Sequence, residues 1–138
     1  MEAELNSPMV TMRPGESYAF DTEWFPTRAT SAFTSVNAAG LVSSPVTLTK
    51  TSGGVSLTGT FGVFFPGQVQ AYFLDANGTD IGQKHIANAD PAELLQVNAQ
   101  LELPARTATI SLHLIDSSGI DRGILAEVNA TFASGGAS

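Results

Sequence analysis

The chain has 138 residues, of which 43% are hydrophobic and 14% are charged, and this composition indicates a folded domain rather than a disordered segment. Its net charge is −7 with only six Lys and Arg residues, so there is no basic patch for nucleic acid or for an anionic membrane surface, and neither is an expected partner. The absence of cysteine excludes disulfides and thiolate metal sites. The N-terminus lacks the basic and apolar regions of a signal peptide, which predicts a cytoplasmic location if the chain is complete and otherwise leaves the location open.

The first part of the chain predicts three strands. Residues 8–13 form a short candidate that ends at a Pro-Gly turn, and residues 33–36 form another. Between them, residues 17–25 (SYAFDTEWF) alternate in the manner of a half-buried strand that Pro26 ends. The side chains expected on one face of this strand are Tyr18, Phe20, Thr22 and Trp24.

Further strands are predicted along the rest of the chain, at 41–50, 55–65, 94–103 and 124–132, in addition to the repeats described next. The total is eight or nine strands with little or no helix, which predicts an all-β protein: an antiparallel β-sandwich, immunoglobulin-like or jelly-roll-like. A closed barrel is the alternative. We expect residues 1–133 to form a single domain and residues 134–138 to form a flexible tail.

One pattern occurs twice. Residues 69–82 (VQAYFLDANGTDIG) and 110–123 (ISLHLIDSSGIDRG) align without a gap, with apolar residues at alternate positions followed by D-x-x-G-x-D-x-G. This pattern predicts a strand that enters a tight Gly turn and returns as a second strand. The repeats are therefore expected to be two similar hairpins whose first strands are central in the sandwich.

The acidic residues of the two repeats have two interpretations. Asp before Gly caps a tight turn by accepting hydrogen bonds from its own backbone, and this interpretation is favoured. The same carboxylates, together with turn carbonyl groups, could ligate calcium, so calcium remains open as a cofactor and no other is expected. The candidate calcium ligands are Asp75, Asp80, Asp116 and Asp121.

Asp21 and Glu23 form a candidate carboxylate pair. Two residues apart on a strand, they would share a face at about 7 Å. That separation is compatible with the acid and base of a glycoside hydrolase. The alternative is that both charges lie on the solvated face of an amphipathic strand, which is favoured.

Residues 61–67 (FGVFFPG) are apolar on both faces of a predicted strand. A strand of this kind is normally buried on both sides or forms an interface. We expect Phe61 and Phe65 to be buried and leave Phe64 as a candidate contact residue.

Residues 2–28 (EAELNSPMVTMRPGESYAFDTEWFPTR) contain E-x-E-L-x-S-P, then P-G-E-S and F-D-T-E-W-F-P-T-R. This phrase resembles the late part of bacterial aldose-epimerase-like proteins of the galactose-mutarotase type. The resemblance implies a C-terminal, carbohydrate-associated β-sandwich that follows a sugar-binding supersandwich. It transfers no catalytic residue, because the catalytic His and Glu of that family would lie upstream.

Three functions are compatible with these features. The leading hypothesis is a non-catalytic β-sandwich module of a carbohydrate-active protein, which contacts sugar or packs onto a catalytic domain. The alternatives are a small glycoside hydrolase that uses Asp21 and Glu23, and a structural or assembly subunit, in which case the chain could be a homo-oligomer. The candidate sugar-binding residues are Trp24, Tyr18, Phe25, Arg28 and Phe64.

Overall fold

The structure is a computed structural model that describes residues 9–30 and 32–131. Eight strands are formed in this part of the chain. They are β1 (Ser35–Val36), β2 (Gly40–Thr51), β3 (Gly54–Val63), β4 (Gly67–Leu74), β5 (Asp80–Ala89), β6 (Leu95–Leu101), β7 (Thr109–Asp116) and β8 (Asp121–Asn129). No helix in the described ranges is long and apolar enough to cross a membrane.

The strands form two four-stranded sheets. One has the order β1-β2-β3-β6 and the other has the order β5-β4-β7-β8. Every pairing is antiparallel. The predicted antiparallel β-sandwich is therefore confirmed. The closed-barrel alternative is wrong, because the hydrogen-bonded ladder does not continue from one sheet to the other.

The core lies between the two sheets and is built from alternate residues of the central strands. Val69, Ala71 and Phe73 of β4 are buried, as the alternation predicts. Phe61 is fully buried on the facing sheet. Burying a side chain of this kind stabilises the folded state by roughly 1.5–3 kcal/mol, so this layer supplies the main favourable contribution to folding. The corresponding buried residues of β7 are Ile110, Leu112 and Leu114.

The two repeats are neighbouring hairpins, β4–β5 and β7–β8, and their first strands are the central pair of one sheet, as predicted. Ala71 pairs with Leu112, which is its equivalent residue in the second repeat. On either side of this pair, Val69 faces Leu114 and Phe73 faces Ile110. The hairpins are therefore related by a local two-fold axis between Ala71 and Leu112, and their turns lie at opposite ends of the sheet.

The prediction of strands at 8–13 and 17–25 is wrong for the residues that the structure describes. Residues 9–13 and 17–25 pair with no other strand and their side chains are exposed. Alternation shows which face a strand would bury, but a strand also needs a neighbouring edge for its backbone hydrogen bonds, and these segments have none. The last predicted strand is found as β8, which ends at Asn129; residues 132–138, including the predicted tail, lie outside the described residues.

Candidate functional site

Residues 9–24, called the arm below, extend from the sandwich with their side chains in solvent. The exposed fractions are 47% for Tyr18, 45% for Phe20 and 64% for Trp24. Hydrogen bonds of the arm join Arg13 and Glu16 within a local turn. Three aromatic side chains within seven residues are therefore exposed, and they are candidates for contact with a ligand or a partner.

The segment that follows the arm is fixed to the sandwich. The backbone N–H of Arg28 donates to the carbonyl oxygen of Pro91 at 3.0 Å, and Arg28 Nε donates to the carbonyl oxygen of Ala92 at 3.1 Å. The backbone of Arg28 also lies directly against β3 at Gly62, where a Cβ atom would collide with the Arg28 carbonyl oxygen. Gly62 is therefore required by this close approach.

An aromatic cluster lies where the arm meets the sandwich and consists of Phe25, Phe64 and Phe65. The Phe25 ring stacks on Phe64 with the ring centroids 5.3 Å apart, and its edge contacts Phe65 with the centroids 5.4 Å apart. Phe64 and Phe65 belong to the connection in which the chain passes from β3 to β4, and therefore from one sheet to the other. All three rings keep part of their surface in solvent.

Arg122 connects the aromatic cluster to the second Gly turn. Its guanidinium carbon lies 4.3 Å from the centroid of the Phe65 ring, which is a cation–π contact, and its Nε donates to Asp116 Oδ2 at 2.6 Å. The pKa of the Asp116 carboxyl is below its ordinary value, chiefly because the backbone N–H of Ile120 donates to it. Burial opposes this effect, and Arg122 and the N–H of Ser118 lower the pKa further.

Four of the five predicted sugar-binding residues lie at this end of the molecule. Phe25 and Phe64 are in contact, Arg28 is held on the 91–92 turn, and Trp24 precedes Phe25 on the chain. Tyr18 lies further along the arm and does not join them. Phe65, expected to be buried with Phe61, is half-buried, whereas Phe61 is fully buried.

Arg122 and the cation–π role of Phe65 were missed by the sequence reasoning. Residues 65 and 122 are far apart in the chain, and no local pattern links an aromatic residue before a strand to an arginine that follows a Gly turn. Only the pairing of β4 with β7 brings them together.

Asp21 and Glu23 lie on the arm. Both are exposed, and neither makes a hydrogen bond within the described parts of the chain. Because the arm is not a strand, the separation of about 7 Å expected for a strand does not follow for this pair.

The four candidate calcium ligands belong to two turns with the same hydrogen bonds. Asp75 Oδ1 accepts from the N–H groups of residues 77 and 79, and Asp116 Oδ1 accepts from the equivalent N–H groups of residues 118 and 120. Asp80 and Asp121 each accept from the N–H two residues later, and Asp121 Oδ2 also lies 2.8 Å from His113 Nδ1. The turns are separated by the length of an eight-residue strand, about 26 Å, so the four carboxylates do not converge.

No cluster of three or more potential metal ligands is found within residues 9–30 and 32–131. The bonds from backbone N–H groups to Oδ1 of the four carboxylates are those of turn caps, the interpretation favoured from the sequence.

No protein-family model matches this chain, and no curated protein or solved structure matches it significantly. Functional inference therefore depends on the chemistry of the surfaces described above.

Proposed function

We propose that this chain is a non-catalytic β-sandwich module of a carbohydrate-active protein, and that it contacts carbohydrate through the aromatic cluster and Trp24. The observation that carries the proposal is the stacked pair Phe25–Phe64, with ring centroids 5.3 Å apart and both rings partly in solvent. Partly exposed rings provide apolar faces for the C–H groups of a sugar while polar atoms around them reach its hydroxyl groups.

Two guanidinium groups lie at this end of the molecule, that of Arg122 over the Phe65 ring and that of Arg28 on the 91–92 turn. Arg28 Nε donates a hydrogen bond to the carbonyl oxygen of Ala92, and Arg122 Nε donates one to Asp116 Oδ2. Each guanidinium has five N–H donors, so each retains donors that can bond sugar hydroxyl groups. Because both side chains are fixed by these bonds, little side-chain entropy is lost when a ligand binds.

The test is binding of a panel of soluble oligosaccharides to the 138-residue chain by titration calorimetry. Trp24→Ala and Phe64→Ala are each expected to weaken binding about tenfold or more, since each removes a ring from the contact surface. Phe33→Ala is the matched control, because Phe33 is an exposed aromatic residue outside the cluster. If the unaltered chain binds no glycan class, the proposal is wrong.

The same proposal has a second form, in which the module packs onto a catalytic domain. This form is favoured by the arm, where Met12 and Phe20 are exposed as well as the aromatic residues already described. Met12→Ser and Phe20→Ser are expected to leave oligosaccharide binding unchanged if the arm contacts protein and the aromatic cluster contacts sugar. Loss of sugar binding in these variants would assign the arm to the sugar site instead.

Catalysis by Asp21 and Glu23 is the alternative function. A carboxylate pair cleaves a glycosidic bond when a scaffold holds the two groups at a defined separation. The exposed arm provides no hydrogen bond to either group in the described structure. Sugar release from aryl glycosides that disappears in Glu23→Gln would establish the enzyme and overturn the non-catalytic proposal.

A further inference from the structure

The two long sides of the sandwich differ. On one side β2 packs near β8, and Asn37 Nδ2 donates to the carbonyl oxygen of Leu125 at 2.8 Å, which joins the sheets. On the other side the edge strands β5 and β6 leave a cleft of about 860 Å³. Its lining combines apolar surface with one ammonium group and one carboxylate, and includes Phe73, Lys84, Leu101, Glu102, Leu103 and Pro104.

Of the four edge strands in the described sheets, β6 is the least protected against pairing with another strand. β1 has only two residues, and β5 and β8 carry register shifts together with the charged residues Lys84 and Arg122. β6 (LQVNAQL) has seven residues, no charge and no proline, and its register with β3 is unbroken. Long edges of this kind are usually blocked in monomeric proteins.

The backbone groups that β6 presents to the open side can be identified. Lys84 Nζ donates to the carbonyl oxygen of Gln100 at 3.3 Å, which shows that the backbone of Gln100 is accessible on the side away from β3. Backbone groups of alternate residues point to the same side of an antiparallel strand. Asn98 and Gln96 therefore also direct their N–H and C=O groups outward.

The arm has the properties of the missing partner strand. Residues 17–24 alternate aromatic or β-branched side chains with polar ones, which is the pattern of a strand with one buried face. Eight residues in a strand span about 26 Å, and the seven residues of β6 span about 23 Å.

We propose that two copies of this chain exchange their arms, so that residues 17–24 of each copy add as a strand to β6 of the other. The aromatic face of the arm then covers the apolar part of the cleft, and Asp21 and Glu23 lie on the opposite, solvent-facing side, with the exposed side chains of Gln96 and Asn98. The occupant is a second copy because residues 17–24 carry a strand pattern, are exposed along their length and pair with no strand of their own chain. The exchange explains why a segment with a strand pattern has no strand structure in a single chain.

The first experiment is the molar mass of the full chain by light scattering over a concentration series. The expected result is a dimer that dissociates on dilution. Asn98→Pro removes an outward N–H but no bond to β3, and it is expected to raise the dimer dissociation constant about tenfold or more. Asn98→Thr retains the N–H and is the matched control, which should dimerise like the unaltered chain. Circular dichroism establishes that both variants are folded.

The second experiment uses the absence of cysteine in the chain. Asp21→Cys and Asn98→Cys chains are mixed and treated with a short bis-maleimide, and a cross-linked heterodimer is expected, because both thiols lie on the solvent-facing side of the extended sheet. A mixture of Asn98→Cys with Ser117→Cys, whose new thiol lies in a distant turn, should give much less product.

A chain that is monomeric at every concentration overturns the proposal, as does a dimer unaffected by Asn98→Pro. A cross-link formed only within one chain of the Asp21→Cys/Asn98→Cys double variant also overturns it. These outcomes are separate from the sugar-binding proposal, because Phe64→Ala tests that function without altering residues 17–24 or β6; Trp24 belongs to both surfaces, so Trp24→Ala does not distinguish the two proposals.

Discussion

Two threonine hydroxyl groups in buried surroundings differ in their hydrogen bonds. Thr107 is fully buried, and its Oγ1 donates to the carbonyl oxygen of Pro104 at 2.7 Å. Thr27 Oγ1 is also removed from solvent, beneath the segment that fixes the arm, but it has no hydrogen-bond partner in the described chain. A buried polar group without a partner retains the cost of its desolvation, so the two residues should respond oppositely to the same substitution.

Thr27→Val is expected to raise the free energy of unfolding by about 1 kcal/mol, because it replaces an unpaired hydroxyl with a methyl group of similar size. Thr107→Val should lower it by about 1 kcal/mol or more, because it leaves the Pro104 carbonyl group without this donor. Urea unfolding of both variants measures the difference. Equal effects of the same sign would contradict the prediction.

Asp116 gives the molecule a defined acid sensitivity. Its folded-state pKa lies below its unfolded value, so the ionised carboxyl favours the folded state. This contribution is complete above the unfolded pKa and disappears as the pH falls through the folded pKa.

The stability difference between the unaltered chain and Asp116→Asn is therefore expected to be largest above about pH 5 and to shrink as the pH falls below the ordinary carboxyl pKa. Thermal unfolding from pH 7 to pH 2 measures the trend. Asp75→Asn is the positional control, since Asp75 makes the same two turn bonds but has no equivalent of the Arg122 contact. A difference that is constant with pH would show that the Asp116 charge plays no part.

At the scale of the elements, the two Gly turns show that the repeat in the sequence is also a repeat in conformation. Gly78 and Gly119 occupy equivalent positions and have φ values of 81° and 86°. At neither position would a Cβ atom meet a neighbour within 4 Å. Glycine is therefore needed at these positions because of the positive φ, and not because a larger side chain would lack space.

Gly78→Ala and Gly119→Ala are each expected to lower the free energy of unfolding by about 1–2 kcal/mol, and by similar amounts. Gly53→Ala is the control, because Gly53 is equally open but has no positive φ, and it should change stability little. Chemical denaturation of the three variants provides the comparison. A marked inequality between the two turns would mean that they are not equivalent.

The alternation of apolar residues and the glycines of the turns predict the two hairpins, the buried residues of β4 and β7, and the capped turns. Each of these features is determined within about fifteen residues of chain. The arm shows the limit of this reasoning. Residues 17–25 have a strand pattern as regular as that of β4, but a pattern does not show whether an edge is available to pair with. The bonds from Arg28 to residues 91 and 92 join distant parts of the chain, so no local signal predicts the position of the aromatic cluster.

At the scale of the whole molecule, stability depends on a single layer of side chains between the sheets. Phe61 is one of the largest side chains in this layer and is fully buried. Phe33 is the same residue type, but 56% of its surface is exposed. The two residues therefore separate the contribution of burial from that of residue type.

Phe61→Ala is expected to lower the free energy of unfolding by about 3–5 kcal/mol, because it leaves a cavity as well as removing buried apolar surface. Phe33→Ala should change it by less than about 0.5 kcal/mol. The measurement is unfolding in guanidinium chloride, with the same m value (the slope of the unfolding free energy against denaturant concentration) applied to both variants. A small effect of Phe61→Ala would mean that the layer relaxes to fill the space.

The local two-fold axis between Ala71 and Leu112 has a consequence for how the chain folds. A hairpin that pairs with a near copy of itself can find the same complementary face on another molecule, with β4 of one chain meeting β4 or β7 of the next. During refolding, correct closure within one chain competes with this intermolecular encounter, and only the intermolecular encounter accelerates with concentration. The yield of native protein is thus expected to fall as the concentration rises, and dilution should restore it.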